Sequence, residues 1–135
     1  MKASDDRARV LVVDDEPSIC RALTMVFNRA GYYVRAIERG ETAEALLREE
    51  QFDCLVVDLR MPDMRGDVLY LTACSVQPHL RAQTVFTTGD ASERATQLLR
   101  DCECPVVLQK PFDIDDLLDI VHAMTAHRAR RAAGE

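Results

Sequence analysis

The chain has 135 residues, of which 47% are hydrophobic, so it is long enough for one domain with a sizeable core but not for two. Its formal charge of -6, with basic residues scattered up to a short C-terminal cluster, argues against a general binder of nucleic acid or membrane surfaces. No apolar run approaches the roughly 20 residues of a membrane span, and residues 1–9 lack the apolar stretch of a signal peptide, so we expect a cytoplasmic protein.

Short apolar runs and helical patterns alternate along the chain. Five runs predict β-strands at residues 10–13, 33–37, 54–58, 84–88 and 105–109. Apolar residues at helical spacing between and after these runs predict five helices. In chain order these positions are Ile19, Leu23, Val26 and Phe27; Ala43, Leu46 and Leu47; Val68, Leu69 and Leu71; Ala95, Leu98 and Leu99; and Ile114, Leu117, Leu118, Val121 and Met124. Apolar strands separated by helices indicate an α/β fold with a doubly wound parallel sheet and right-handed crossovers.

The five cysteines do not indicate a disulfide framework or a zinc site, because their number is odd and no CxxC pair occurs. Disulfides are also not expected in a cytoplasmic protein. Cys20 and Cys54 fall within apolar patterns, and we expect both as small core residues.

Polar residues stand at the predicted carboxyl ends of four strands. They are Asp14, Asp15 and Glu16 after the first strand, Asp58 at the end of the third, Thr88 at the end of the fourth, and Lys110 after the fifth. In open parallel sheets, ligands bind beyond the carboxyl ends of the strands, where the strand order reverses. With the order 2-1-3-4-5, the first and third strands are neighbours about 4.8 Å apart, which brings Asp14, Asp15 and Asp58 into one pocket.

Three carboxylates this close repel one another, so they must be protonated, paired with a cation or bound to a metal. Oxygen ligands of this kind suit a hard ion such as Mg²⁺, which keeps waters and accepts a phosphate oxygen. Asp58 as attacking group, Lys110 as fixed positive charge and Thr88 as hydroxyl donor then form a site that accepts a phosphoryl group as an acyl phosphate.

Each motif also has a purely structural interpretation when it is taken alone. The acidic residues 14–16 before Pro17 are typical of a helix N-cap, and Asp58 would serve as an ordinary loop residue. Thr88 before a glycine is compatible with a turn, and Lys110 with an exposed lysine before a turn proline. Their joint occurrence at the ends of separate predicted strands favours the phosphoryl-acceptor hypothesis.

The motifs VLVVDDEP at 10–17, DLRMPDMRG at 58–66, TTG at 87–89 and QKPF at 109–112 closely resemble the receiver domain of two-component response regulators, over about residues 8–125. The resemblance implies a flavodoxin-like receiver fold with five helices. It implies that Asp58 is the phosphoacceptor, that Thr88 is the switch hydroxyl and that Lys110 is the active-site lysine. It further implies a Mg²⁺ site formed by Asp14, Asp15 and Asp58 with the backbone carbonyl of Arg60. A cis Lys110–Pro111 bond is predicted as well, both by resemblance and because Lys110 must turn back toward Asp58.

One position departs from the family pattern. The family commonly places Tyr or Phe three residues before the lysine, where this chain has Val107. We therefore expect activation to change residues 88–95 and the fourth helix more than the surface around Val107. We also predict that Arg60 and Asp90 pair across the mouth of the pocket.

Residues 126–135 form a short basic tail after the receiver unit, with Arg128, Arg130 and Arg131. The tail is interpreted as a solvated helix end whose cations suit the helix dipole, and a partner-docking or nucleic-acid contact is the alternative. Three arginines make too small a footprint for a DNA binder. We expect either a single-domain regulator or the N-terminal receiver of a longer protein.

The resemblance implies a signalling domain that takes its phosphoryl group from a sensor histidine kinase or a histidine phosphotransfer protein and then changes its surface toward a downstream effector. Such a domain is not a conventional enzyme and catalyses only its own phosphorylation and dephosphorylation. It is expected to be either a monomer or a phosphorylation-dependent homodimer. A phosphatase with dehalogenase-like chemistry is the alternative. Enzymes with that chemistry normally have two aspartates separated by one residue and an inserted segment that covers the substrate. In this chain Asp14 and Asp15 are adjacent, and no such insertion is evident. A receiver-like binding module that is never phosphorylated is a third hypothesis, which the intact set of site residues disfavours.

Overall fold

The computed structural model describes residues 6–89, residue 100 and residues 106–132, with side chains described as far as residue 126. The strands are β1 (Arg9–Val13), β2 (Tyr33–Ile37), β3 (Cys54–Asp58), β4 (Thr84–Thr88) and β5 (Val106–Gln109). The helices are α1 (Pro17–Arg29), α2 (Gly40–Glu49), α3 (Gly66–Val76) and α4 (Ile114–Ala132), with a short 3-10 helix at Pro78–Ala82. The fourth predicted helix lies outside the described residues, so α4 corresponds to the fifth.

The five strands form one parallel sheet in the order β2-β1-β3-β4-β5, which confirms the predicted doubly wound topology. β1 and β3 lie at its centre and are buried because helices cover both faces. Successive side chains of a strand point to opposite faces. Leu11 and Leu55 therefore join the core under α2 and α3, whereas Val10 and Val56 join the core under α1 and α4.

The third helix differs from its predicted pattern. Leu69, Tyr70 and Ala73 are buried, whereas Val68 is 41% exposed and Leu71 is 56% exposed. Two of the apolar positions that predicted this helix therefore face solvent. The segment GDVLYLTACSV is apolar around much of its circumference, so its apolar pattern did not define the inward face.

The last described helix extends into the predicted basic tail. α4 runs to Ala132 and passes without a break through residue 126, where we expected the tail to begin. Cys20 and Cys54 are buried in the core, as predicted for small core residues. Within the described ranges, none of the helices combines the length and the hydropathy that crossing a membrane requires.

Candidate functional site

The sheet register brings the predicted acidic residues together. Val13 at the end of β1 pairs with Val57 of β3, so Asp14 and Asp58 follow matched positions on neighbouring strands. Oxygens from the carboxylates of Asp14, Asp15 and Asp58 all lie within 4.8 Å of one another. Asp14 and Asp58 are buried, and Asp15 is half-buried. The prediction that these three carboxylates lie close together is confirmed.

A cavity of about 410 Å³ opens at this carboxyl edge of the sheet. Its walls are formed by Asp15, Glu16, Asp58, Arg60, Gly89 and Lys110. Most of these side chains are charged, so the cavity suits a small, charged ligand rather than an apolar one. Three clustered carboxylates fit a divalent cation, because carboxylate oxygens are the ligands that hard cations prefer.

Lys110 provides the positive charge of the site. Its Nζ lies 2.8 Å from Oδ2 of Asp14 and 2.9 Å from Oδ2 of Asp58. Its backbone N–H donates to the carbonyl of Thr88 at 2.7 Å, which attaches the residue to the end of β4. The Lys110–Pro111 peptide bond is cis, as predicted. Burial by itself lowers the pKa of Lys110, but the hydrogen bonds and charges of Asp14 and Asp58 outweigh burial and hold that pKa above its ordinary value. Lys110 is therefore a permanent cation between two buried carboxylates.

The Asp58 carboxyl lies in an environment that penalises its negative charge. Burial raises its pKa, and the nearby carboxylate of Asp14 adds to the rise. The Lys110 ammonium and the backbone N–H of Arg60, which donates to Oδ1 of Asp58 at 3.1 Å, oppose this rise without cancelling it. A divalent cation at the three carboxylates would reduce the same penalty, because its positive charge offsets the charge of the carboxylates.

The loop after β3 turns back tightly on Asp58, and Gly66 permits this turn. A Cβ atom at Gly66 would lie 2.2 Å from the carbonyl oxygen of Asp58. This distance is too short for any residue with a side chain. The Gly66 N–H donates to the carbonyl of Leu59 at 2.8 Å and closes the loop. The role of this glycine was not predicted, although its place at the end of the DLRMPDMRG motif was the available signal.

Two other predicted site residues are Thr88 and Arg60, of which Arg60 lines the cavity. Thr88 is buried at the end of β4 and pairs in register with Gln109 of β5. Its role as a switch hydroxyl stays a prediction, as does the role of the Arg60 carbonyl as a metal ligand. The proposed partner of the Arg60 side chain, Asp90, lies outside the described residues.

Two contacts of the site were missed by the sequence analysis. Glu16 reaches Lys110, with its Oε1 3.3 Å from Nζ. The thiol of Cys20 donates to the backbone carbonyl of Asp14 at 3.2 Å, and burial raises the pKa of this thiol to about 11. Cys20 therefore stays neutral at pH 7 and adds no charge beside the carboxylates.

Comparison with known proteins agrees with the family resemblance of the sequence motifs. The sequence matches a family model described as "Response regulator receiver domain" over residues 10–122. The chain is 34% identical over 119 residues to the response regulator receiver protein CpdR of Brucella abortus (strain 2308), covering 86% of this chain and 95% of that protein. Several other curated relatives are longer proteins, and the chain spans between 24% and 27% of their length.

Solved structures share the fold. A CheY-like response regulator receiver domain protein from Methanospirillum hungatei JF-1 superposes with a TM-score of 0.83 at 23% identity, covering 93% of this chain and 98% of that one. A response regulator protein from Burkholderia pseudomallei has a TM-score of 0.76 at 26% identity, covering 95% of this chain and 75% of that one. The latter structure holds a phosphorylated aspartic acid, a calcium ion and citrate.

Proposed function

The chain belongs to the response regulator receiver family, and from this premise we propose that Asp58 accepts a phosphoryl group in a Mg²⁺-dependent reaction. The donor is a phosphohistidine of a sensor histidine kinase or of a histidine phosphotransfer protein. An oxygen of the Asp58 carboxylate attacks phosphorus, and the bond from phosphorus to the donor nitrogen breaks. The electron pair of that bond leaves with the nitrogen, and an acyl phosphate forms on Asp58.

One observation carries this proposal: the Lys110 ammonium lies 2.9 Å from Asp58 and 2.8 Å from Asp14, at the mouth of a charged cavity. An ammonium in this position is within reach of an oxygen on a phosphoryl group carried by Asp58, and it offsets the charge that develops during transfer. Thr88, which ends the neighbouring strand, is proposed to donate its hydroxyl to the product.

The cation is proposed to be Mg²⁺, held by Asp14, Asp15 and Asp58 together with the backbone carbonyl of Arg60. When bound, it would neutralise charge on the transferring phosphoryl oxygens. The carboxylate cluster supports this assignment, because three anionic groups within 4.8 Å of one another repel each other and a divalent cation would offset that repulsion.

The biological setting belongs to the same proposal. Residues 8–125 act as the receiver unit and 126–135 as a short basic tail, either as a single-domain regulator or at the N-terminus of a longer protein. The domain works in the cytoplasm as a monomer or a phosphorylation-dependent homodimer and presents its changed surface to a downstream effector, with no direct contact to nucleic acid or membrane. Its catalysis extends to its own phosphorylation and dephosphorylation. The dehalogenase-like phosphatase is not favoured, because the family is one of signalling domains.

Phosphoryl uptake from acetyl phosphate in Mg²⁺ tests the assignment of Asp58. Intact-protein mass spectrometry of the wild type is expected to show an adduct of about 80 Da, the mass of one phosphoryl group, and Asp58→Asn is expected to show none, because an amide is a poor nucleophile. Asp67→Asn is the matched control, since Asp67 is also a buried aspartate but pairs with Arg65 at 3.1 Å. Chelation of Mg²⁺ should prevent uptake by the wild type. An undiminished adduct in Asp58→Asn would move the acceptor to another residue.

A further inference from the structure

Glu16 occupies the N-cap position of α1 but does not act as a helix cap. Within the described part of the chain, its side chain makes no capping hydrogen bond to the first turn, and Pro17 at the next position has no N–H to be capped. Its carboxylate extends instead to Lys110, with Oε1 3.3 Å from Nζ. The side chain is therefore used for a contact with the site, whereas the backbone carbonyl of Glu16 accepts hydrogen bonds from the N–H groups of Ile19 and Cys20 in the helix.

Lys110 divides its hydrogen-bonding capacity among three carboxylates. A lysine ammonium has three N–H donors, and Nζ has acceptors at 2.8 Å on Asp14, 2.9 Å on Asp58 and 3.3 Å on Glu16. An oxygen of an incoming phosphoryl group must replace one of these acceptors before Lys110 can bind it. The three contacts therefore compete with the phosphoryl group in the resting state.

The contact with Glu16 is the weakest of the three. It is the longest, and the Glu16 side chain is 55% exposed, whereas those of Asp14 and Asp58 are 3% and 7% exposed. Exposed ion pairs are screened by water and contribute little to stability. Lys110 can therefore release Glu16 at small cost while it keeps its buried partners.

We propose that Glu16 is a positioning residue that holds Lys110 in the resting site and gives way to the phosphoryl group. This inference rests on the proposed function of Asp58. Besides occupying one donor of Lys110, Glu16 adds a fourth negative charge at the mouth of the cavity, after those of Asp14, Asp15 and Asp58. Both effects oppose an anionic phosphodonor, whereas the added charge attracts a divalent cation.

Glu16→Gln removes the charge with little change of shape, and its two expected effects have opposite signs. At saturating Mg²⁺, phosphoryl uptake from acetyl phosphate is expected to be about three- to tenfold faster than in the wild type, the size expected for one partly screened charge and a released lysine donor. The affinity for Mg²⁺, measured by calorimetric titration without a phosphodonor, is expected to fall about two- to fivefold. A loss of local structure would lower both quantities.

Two further variants separate the contact from the charge. Glu16→Asp keeps the charge but is one methylene shorter, so its uptake is expected to lie between those of the wild type and Glu16→Gln, with the wild-type Mg²⁺ affinity. Glu49→Gln makes the same change of net charge in the last turn of α2, beside Glu50, which pairs with Arg9 at the opposite end of the sheet. This control is expected to match the wild type in both measurements.

The possible outcomes distinguish this inference from the function on which it rests. Uptake by Glu16→Gln at or below the wild-type rate would overturn the role of Glu16 and leave Asp58 as the acceptor. Wild-type uptake in Glu16→Asp together with faster uptake in Glu16→Gln would also overturn it, because the contact with Lys110 would then have no effect. A wild-type protein that takes up no phosphoryl group from acetyl phosphate in Mg²⁺ would instead refute the proposed function.

Discussion

The N-terminus of α2 is capped by a residue from a different loop, and Asp63→Ala tests how much this cap stabilises the fold. Both carboxylate oxygens of Asp63 accept backbone hydrogen bonds, from Gly40 N–H at 3.1 Å and from Glu41 N–H at 3.0 Å. Arg39, at the N-cap position itself, makes no side-chain capping bond in the described structure. Removing the carboxylate would therefore leave two donors of the first turn without their present acceptor.

The expected loss of stability follows from these contacts. Replacing an N-cap acceptor by alanine typically costs about 1 kcal/mol. The interaction of a charged acceptor with the helix dipole adds about 0.3–1 kcal/mol. The Arg39–Asp63 pair is 4.0 Å long, and its exposed arginine adds little. Asp63→Ala is thus expected to lower the free energy of unfolding by about 1.3–2 kcal/mol at pH 7, which corresponds to a Tm lower by roughly 5–7 °C for a domain of this size.

The same cap has a defined pH dependence. The hydrogen bond from Glu41 N–H, assisted by that from Gly40 N–H, lowers the pKa of Asp63 below its ordinary value. A carboxyl group whose pKa is lower in the folded state contributes stability that is fully present above the unfolded pKa of about 3.9 and is lost as the pH falls through the folded pKa. The difference between wild type and Asp63→Ala should therefore be constant from about pH 5 to 8 and shrink below about pH 4.

Urea unfolding followed by far-UV circular dichroism at pH 7 and pH 3 measures this difference. Asp63→Asn is the matched control, because it keeps one acceptor oxygen without the charge, and its destabilisation is expected to be smaller than that of Asp63→Ala at pH 7. An Asp63→Ala protein as stable as the wild type at pH 7 would refute the capping role. A difference that is equally large at pH 3 would refute the assignment to the charged carboxylate.

Other expectations concern the glycine of the loop, a buried amide and the activated state. Gly66→Ala should lower the free energy of unfolding in urea by about 3 kcal/mol and impair phosphoryl uptake, because the added Cβ would lie 2.2 Å from a backbone oxygen. Gly89→Ala is the control for stability, because nothing lies within 4 Å of its Cβ. Gln77→Ala should cost about 2–4 kcal/mol in the same assay, since Gln77 bonds three backbone groups at 2.7–2.9 Å, and a cost below about 1 kcal/mol would contradict this. A beryllofluoride phosphate mimic should shift the amide resonances of residues 88–95 more than those around Val107, and the reverse pattern would refute that expectation.

The sheet and the acidic cluster were predictable from the sequence because both depend on short-range patterns. Runs such as CLVVD at 54–58 are typical of strands that are covered on both faces. Their alternation with helical patterns indicates that the strands are parallel. The carboxyl ends of parallel strands lie at one edge, so the position of Asp58 at a strand end was enough to place it beside Asp14 once the strand order was inferred.

The inward face of α3 was not predictable in the same way. Its apolar residues are spread around the helix, so helical periodicity did not separate the buried Leu69 from the exposed Leu71. The cap of α2 was also missed, because Asp63 is separated from Gly40 and Glu41 by more than 20 residues and local capping rules examine only adjacent positions.

The strands, the placement of the acidic residues and the family of the chain can all be inferred from the sequence, because each of these depends on residue types at fixed spacing. The contacts that the side chains of the site make depend instead on the packing of the whole fold. By sequence, the acidic residues 14–16 are compatible both with capping α1 and with binding a cation. The packing of β5 beside β4 brings Lys110 within 3.3 Å, and there Glu16 contacts the ammonium rather than the backbone of its own helix. A side chain with two available partners binds the one that long-range packing brings within reach, and sequence spacing contains no information on that distance.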